Sequence, residues 1–212
     1  MERPLLTTDD MALLFRLLCL AVLMSAARPP QLPEVTLQTG DVVLQTSKSS
    51  RSALIRKASA SPYSHVGLVE RTKQGVFVLE AVQPVSRTPL ATWVKRGEGG
   101  AVTVLRPKGM ASATLAKVVM AAKAHLGKPY DARYRWDDGY LYCSELVVKA
   151  FEQGAGVTVG KQEVVKSLHL SKAELALGPK LGIDPEQTLV TPASLVGDEH
   201  LELLAEQVTR VK

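Results

Sequence analysis

Cysteine is scarce in this chain: 212 residues hold two, Cys19 and Cys143. That excludes a disulfide scaffold and a four-cysteine zinc site. Aromatic residues make up only 5%, which argues against a stacking platform for single-stranded nucleic acid. Lysine and arginine outnumber the acids, 26 to 21, for a net charge of +5. No run of five basic residues occurs, so no nucleic-acid arm and no nucleic-acid partner are expected. Walker, GxGxxG and GxSxG motifs are missing, which leaves phosphate-loop and α/β-hydrolase chemistry without support. What is present, 46% hydrophobic and 22% charged residues, is the composition of one folded domain with its own core.

The N-terminus carries one apolar run, Ala12–Met24, interrupted by Arg16 and closed by Ser25-Ala26-Ala27 before Arg28-Pro29-Pro30. It is short for a membrane span. Small residues ahead of a break read as a secretory signal peptide over 1–27, cut after Ala27. Asp9 and Asp10 are out of place in a basic leader, so Met11 is read as a candidate true start. A retained membrane anchor is the other reading. Cleavage removes two arginines and three acids, taking the net charge to +6 and leaving Cys143 as the one thiol. The expected location is therefore periplasmic or extracellular, or membrane-anchored if the segment stays. Residues 28–36 form a Pro-rich lead-in and 37–212 the domain.

Along that domain the pattern predicts strands at Asp41–Gln45, His65–Glu70, Val76–Val82, Val102–Arg106 and Leu201–Val208. Lys73-Gln74-Gly75 supplies a hairpin turn. Ser49–Ala60 reads as a short helix or a loop, and Pro89–Arg96 suggests a short helix. A longer helix over Ser112–Leu126 is read with Ser112 as its cap and Gly127 at its end, and another over Cys143–Gln153 stopped by Gly154 and Gly156. Residues 155–190 show weak patterning. The fold class is α+β, an antiparallel sheet with helices packed at one side.

Three residues stand out chemically. Cys143 opens a helix, where free N–H groups and the positive dipole end favour a thiolate and can hold an oxyanion. A small buried residue that happens to begin a helix fits the position equally well. His65 opens an apolar strand, where it can reach a nucleophile or simply end the strand exposed. Glu80 interrupts the apolar run VFVLEAV on the face of Val76, Val78 and Val82, and a carboxylate there needs a partner if buried. On adjacent strands it would accept a hydrogen bond from the His65 imidazole; an exposed edge position is the alternative. His125 looks ordinary, near a helix C-terminus where a cation is mildly favoured. No ligand pair has zinc-like spacing, so neither a metal nor another cofactor is expected.

Taken in order, Leu37-Gln38-Thr39-Gly40-Asp41-Val42-Val43, Ser64-His65-Val66-Gly67-Leu68-Val69, Val78-Leu79-Glu80-Ala81, Leu126-Gly127-Lys128-Pro129-Tyr130-Asp131, Tyr142-Cys143-Ser144-Glu145-Leu146-Val147 and Thr191-Pro192-Ala193-Ser194-Leu195 resemble the YiiX/YebB-like proteins. The likeness spans about residues 37–205. That family resembles a circularly permuted branch of the papain-like, NlpC-type cysteine hydrolases, in which the histidine precedes the cysteine as His65 precedes Cys143. The resemblance implies Cys143 as nucleophile, His65 as general base and Glu80 as the orienting residue. Asp41, in the family's opening turn, is a candidate supporting residue.

The chemistry expected is acyl transfer through a thioester. The backbone N–H of Cys143 is one expected oxyanion donor and the Tyr63 hydroxyl a second. Export, the basic charge and the NlpC-type likeness point to amide bonds of cell-wall (peptidoglycan) peptides. A positive surface suits a wall polymer or an anionic lipid equally. A lipid acyl hydrolase or acyltransferase using the same three residues is the second reading. Under it, Trp93, Trp136 and the Tyr-rich loop would line an acyl groove, though plain packing also explains these aromatics. A non-catalytic binding module on the same fold is the third.

Overall fold

The computed structural model describes residues 35–209 and Val211. The expected leader, 1–27, lies outside the described residues. Strands β1 (Val42–Gln45), β2 (His65–Thr72), β3 (Gly75–Glu80), β4 (Ser86–Pro89) and β5 (Val102–Pro107) are followed by two short strands, β6 (Gln162–Val164) and β7 (Thr188–Val190). β8 (Leu201–Val208) comes last. Among the described residues, six of these form one antiparallel sheet in the order β4-β3-β2-β1-β5-β8, and β6 pairs with β7 apart from it. The helices are α1 (Ser52–Ala58), α2 (Leu90–Lys95), α3 (Ser112–Lys123), α4 (Cys143–Ala155) and α5 (Lys172–Leu177).

Alternation along the central strands sorts the core into two. Val42, Leu44, Val66, Leu68 and Leu79 belong to the larger cluster, with Val118 and Val119 of α3 and Leu146, Val147, Ala150 and Phe151 of α4. Val43, Val69, Val78 and Val104 belong to the smaller one, closed by Leu37 and by Trp93 of α2. Both faces of the middle of the sheet are therefore covered, which explains why β1 and β2 read as nearly continuous apolar runs.

The five expected strands stand within a residue or two of the pattern, and both short segments are helical, whereas β4, β6 and β7 are additional strands the pattern does not show. The ends of the longer helices differ. Ala111, in extended conformation, takes the cap position of α3, and Ser112 is the first helical residue. The helix stops at Lys123, and Gly127 (φ +84°) instead donates its N–H to Val85 O at 3.0 Å, tying the turn after the helix to the β3–β4 connection. Gly154 does not stop α4. It lies inside the helix, against the backbone of Val118, where even a methyl group would clash. Its role is to let α3 and α4 touch; the stop comes from Gly156, in left-handed conformation.

Gly154→Ala tests this by sign. Helix propensity alone predicts a gain of roughly 1 kcal/mol, whereas the clash predicts an overpacking loss of about 1–3 kcal/mol. We expect the melting temperature to fall by about 2–10 °C in thermal unfolding; a rise would mean the helices can part at no cost.

Candidate active site

The site is built where the mouth of β2 meets the N-terminus of α4. Tyr142 is extended (φ −100°, ψ 171°) and hands the chain into the helix. Its N–H donates to Glu145 Oε2 (3.2 Å), and Glu145 Oε1 is paired with Lys149 one turn on (2.9 Å). Burial raises the Glu145 carboxyl to about 7 against the pull of Lys149. The residues on either side of Cys143 tie down β7: Ser144 Oγ donates to Val190 O (2.6 Å), and Val190 N donates to the Tyr142 hydroxyl (3.0 Å). Cys143 is thus buried at the first position of a helix anchored on both flanks.

His65 and Glu80 meet as the hairpin pattern predicts. In the β2–β3 register Leu68 faces Leu79, which sets Glu80 opposite Gly67 and diagonal to His65. Gly67 has no side chain to occupy that space. His65 Nε2 donates to Glu80 Oε2 at 2.6 Å, and the carboxylate is fully buried. Its other oxygen accepts from the Thr88 hydroxyl and from the Arg96 guanidinium. Burial by itself would raise the Glu80 carboxyl; His65 first, then Thr88 and Arg96, hold it below its ordinary range. The Trp93 ring lies 6.2 Å from the imidazole, tilted by 30°. Trp93 is completely buried, so it covers the His65–Glu80 pair and lines no groove.

With Nε2 committed to Glu80, Nδ1 is the ring atom left for the sulfur of Cys143. Burial disfavours the imidazolium, but the Cys143 and Glu80 side chains outweigh it and raise His65 to about 9. The segment ahead of it is fixed by Ser64, whose hydroxyl accepts from Ser47 N (2.8 Å) and meets Ser52 Oγ (2.7 Å).

Two supporting residues read from the sequence are placed elsewhere. Asp41 sits at the far end of β1 from the Gln45–His65 pair, about 13 Å along the strand at ~3.3 Å per residue. Arg106 grips both of its oxygens (2.8 Å each), and Gln38 N donates to Oδ2 (2.7 Å). Asp41 therefore holds the opening turn to β5. The Tyr63 hydroxyl donates to Glu206 (3.0 Å) and accepts from Thr103 (3.1 Å), leaving no proton for an oxyanion. At the end of α3, burial and then Lys128 lower the His125 pKa, against the mild preference for a cation there.

The tyrosines that do approach the sulfur come from the loop 128–141. Burial first, and then the charge on Cys143, raise the pKa of both Tyr130 and Tyr134, which keeps both as O–H donors. Tyr134 has φ +53°, a conformation costing a side-chain-bearing residue about 1–3 kcal/mol. The Gln187 amide holds it there, donating to Arg133 O (2.8 Å) and Tyr134 O (3.0 Å). Asp131 closes the same turn by accepting from Arg133 N (2.8 Å) and Arg135 N (2.7 Å).

Over residues 36–205 the sequence matches the profile of the permuted papain-like amidase enzymes, the YaeF/YiiX, C92 family. The chain belongs to that family. It is 36% identical over 197 residues to the uncharacterized protein YiiX of Escherichia coli (strain K12), an alignment covering 91% of this chain and 96% of that protein. The crystal structure of metalloprotein yiiX from Escherichia coli O157:H7, DUF1105, superimposes with a TM-score of 0.75 at 37% identity, over 80% of this chain and 97% of that one. The α+β sheet-and-helix layout is thus the permuted papain-like one, and membership supports a cysteine amidase or peptidase in general terms.

The carboxylate can be probed directly. In Glu80→Gln the imidazolium loses its buried counter-charge, and the His65 pKa should fall well below about 9 when followed by NMR of the ring protons. The sign for stability follows. A raised histidine contributes fully below its unfolded value of 6.5, and the contribution is lost as pH rises through about 9. The stability gap between wild type and Glu80→Gln should therefore narrow between pH 7 and 10 in urea titrations. A gap that widens over that range would contradict the assignment.

Proposed function

We propose that this protein is an exported cysteine amidase that works through Cys143, His65 and Glu80. The observation that carries the reading is the meeting of a thiol at a helix N-terminus with an imidazole whose other nitrogen is held by a buried carboxylate. The raised His65 keeps an imidazolium beside the sulfur, and a helix N-terminus favours negative charge there. The sulfur attacks the substrate carbonyl carbon. As the C–N bond breaks, His65 Nδ1 gives its proton to the leaving amine, and the acyl group remains as a thioester. Water then attacks, losing a proton to His65; the C–S bond breaks and the carboxylic acid leaves. Glu80 keeps the ring in position and balances its charge. The oxyanion is served by the Cys143 N–H, with the hydroxyl of Tyr130 or Tyr134 in the place the sequence assigned to Tyr63.

Wall-peptide amides and lipid acyl groups both fit this chemistry. The walls beside Cys143 favour the second: the cavity there is lined by Leu54, Ile55, Leu168, Ile183, Leu189 and Val190 among others, with no charged residue. The Escherichia coli O157:H7 relative is called a metalloprotein. Here the described residues contain no cluster of three or more His, Cys, Asp or Glu side chains able to hold a metal. Nε2 of His65 and both oxygens of Glu80 are taken up by Thr88, Arg96 and each other. These residues do not fit a metal ion, and no step is routed through one.

Iodoacetamide should label Cys143 rapidly at pH 6–7, and at least tenfold more slowly in His65→Ala. Turnover of an acyl anilide should leave a thioester on Cys143 visible by mass spectrometry and should vanish in Cys143→Ala. Activity should fall as pH rises through about 9, where the imidazolium loses its proton. Undiminished turnover by Cys143→Ala would end the proposal.

A further inference from the structure

The sulfur and the imidazole face different spaces. Cys143 lines the apolar groove of Leu54, Leu168 and Val190, and His65 is not among its walls. His65 lines a second cavity, about 540 Å³, to which Cys143 does not contribute. The chemistry proposed above orders the two. The acyl group stays on the sulfur, and the departing amine takes its proton from the imidazole. The amine side of the substrate therefore lies in the His65 cavity.

That cavity is basic. Lys48, Arg51, Lys95 and Arg96 line it, and no Asp or Glu does. Arg96 pairs with Glu80; among the described residues, Lys48, Arg51 and Lys95 make no ion pair with any carboxylate. The chain after β1 is laced to the end of α2, since Lys48 N donates to Arg96 O (2.9 Å) and Lys48 Nζ to Lys95 O (3.1 Å). The Arg51 guanidinium lies over the Tyr130 ring, 5.4 Å from its centre. Polar atoms in the cavity wall lack partners. Gln45 is opposite His65 across β1 and β2, which puts the two side chains on one face. It is 2% exposed, yet neither atom of its amide has a hydrogen-bond partner. The amide oxygen is packed on Gly97, where even a methyl group would clash, and the nitrogen is left for the cavity. Arg96 Nε is likewise buried and unpartnered. Burying such donors without an acceptor is unfavourable. Two unpartnered N–H donors beside three uncompensated cations make an anion site.

We infer that the leaving amine of the substrate carries an anionic group, a carboxylate or a phosphate, which accepts from Gln45 and Arg96 and is balanced by Lys48, Arg51 and Lys95. This assignment rests on the cysteine-amidase reading and adds to it the class of amine released. The buried donors fix where the anion sits, and the exposed cations select charge and speed encounter.

The test uses the full chain and anilides that share one acyl group, that of the anilide in the thioester experiment. The leaving amines are 3-aminobenzoate, its neutral carboxamide and 3-aminophenyl phosphate, and their release is followed. A carboxamide draws more electron density from the ring than a carboxylate, so intrinsic reactivity favours the neutral amine. The order should reverse on the protein. Each anion should exceed the carboxamide in kcat/KM by at least about tenfold, and the advantage should shrink in salt of about 1 M, which screens charges beyond ~3 Å. The two anions compared with each other tell which the cavity prefers. Lys48→Ala combined with Lys95→Ala should cut the advantage at least about fivefold. Lys108→Ala with Lys117→Ala, the same charge change outside the cavity, should keep it. Gln45→Met separates binding from packing. Removing an unpaired buried amide should hold or raise the melting temperature, while the advantage falls at least about threefold. A lower melting temperature with the advantage intact would assign Gln45 to packing and overturn its part. Alkylation of Cys143 by iodoacetate and by iodoacetamide reads the same field without a substrate. The ratio of the two rates should drop at least about threefold in the Lys48 and Lys95 double variant. Anions turned over no faster than the carboxamide would overturn the anion site; where no anilide is turned over, an alkylation ratio indifferent to Lys48 and Lys95 would do the same. In either case, His65-dependent labelling of Cys143 would leave the amidase standing. Loss of that labelling together with no turnover would overturn both.

Discussion

A carboxylate removed entirely from water, on an apolar strand, is the constraint around which this site is organised. Desolvating an ion costs several kcal/mol even after relaxation, so Glu80 is tolerable only if donors surround it. Three do: the His65 ring, the Thr88 hydroxyl and the Arg96 guanidinium. Each donor places a different element, since they come from β2, β4 and the residue closing α2. The ring is thereby fixed at one end and Arg96 is drawn to the floor of the basic cavity. Trp93, one turn before Arg96, is brought over the pair it shields. A neutral residue at position 80 would remove the reason for all of these placements at once.

The nucleophile is secured by a different device. Tyr142 and Ser144, on either side of the thiol, bind one residue, Val190, through its N–H and its carbonyl. This makes β7 a wall of the apolar groove and couples the groove's shape to the helix that carries the sulfur. On the other side, Lys149 bridges Glu145 to Asp138 (2.8 Å) and the Asp137 carbonyl, so the helix also holds the loop that delivers Tyr130 and Tyr134. The Tyr-Cys-Ser-Glu run thus acts as a joint between groove, loop and nucleophile, with each side chain other than that of Cys143 making a structural contact.

The sheet was legible because β1, β2, β3 and β5 are short, largely apolar runs bounded by turn residues, and Glu80 was legible because it breaks one of them. The partners of Glu80 were not. Thr88 and Arg96 are ordinary surface residue types, and only the tertiary fold turns them inward. Asp41 and Tyr63 misled for a related reason. Asp41 opens the strand that pairs with His65 and Tyr63 lies two residues before it, yet one sits at the opposite end of its strand and the other points to β8. Nearness along an extended chain says little about side-chain direction when successive residues face opposite ways. The segment 155–190 defeated the pattern altogether. Its strands are three residues long and its helix six, too short for either period to show. It nevertheless supplies most of the far wall of the groove and the Gln187 clamp on Tyr134. Trp93 was conspicuous in the sequence, but neither composition nor spacing could separate a buried cover from a groove wall.

The order of residues along the chain bears on how such a site is assembled. His65 and Glu80 are 15 residues apart in one hairpin, so their closure costs little loop entropy. Cys143 must be brought from a far more distant helix, and that contact follows only when α4 packs on the sheet. The costly part, burying an ionised pair, is therefore solved locally within β2–β3 and its immediate continuation to Arg96. The thiol is added to a charge arrangement that already compensates itself. Geometry at the sulfur depends only on a helix N-terminus facing a strand mouth, and chain order does not enter it. Placing the histidine first changes the folding problem while leaving the chemistry alone, because the more demanding interaction becomes the more local one.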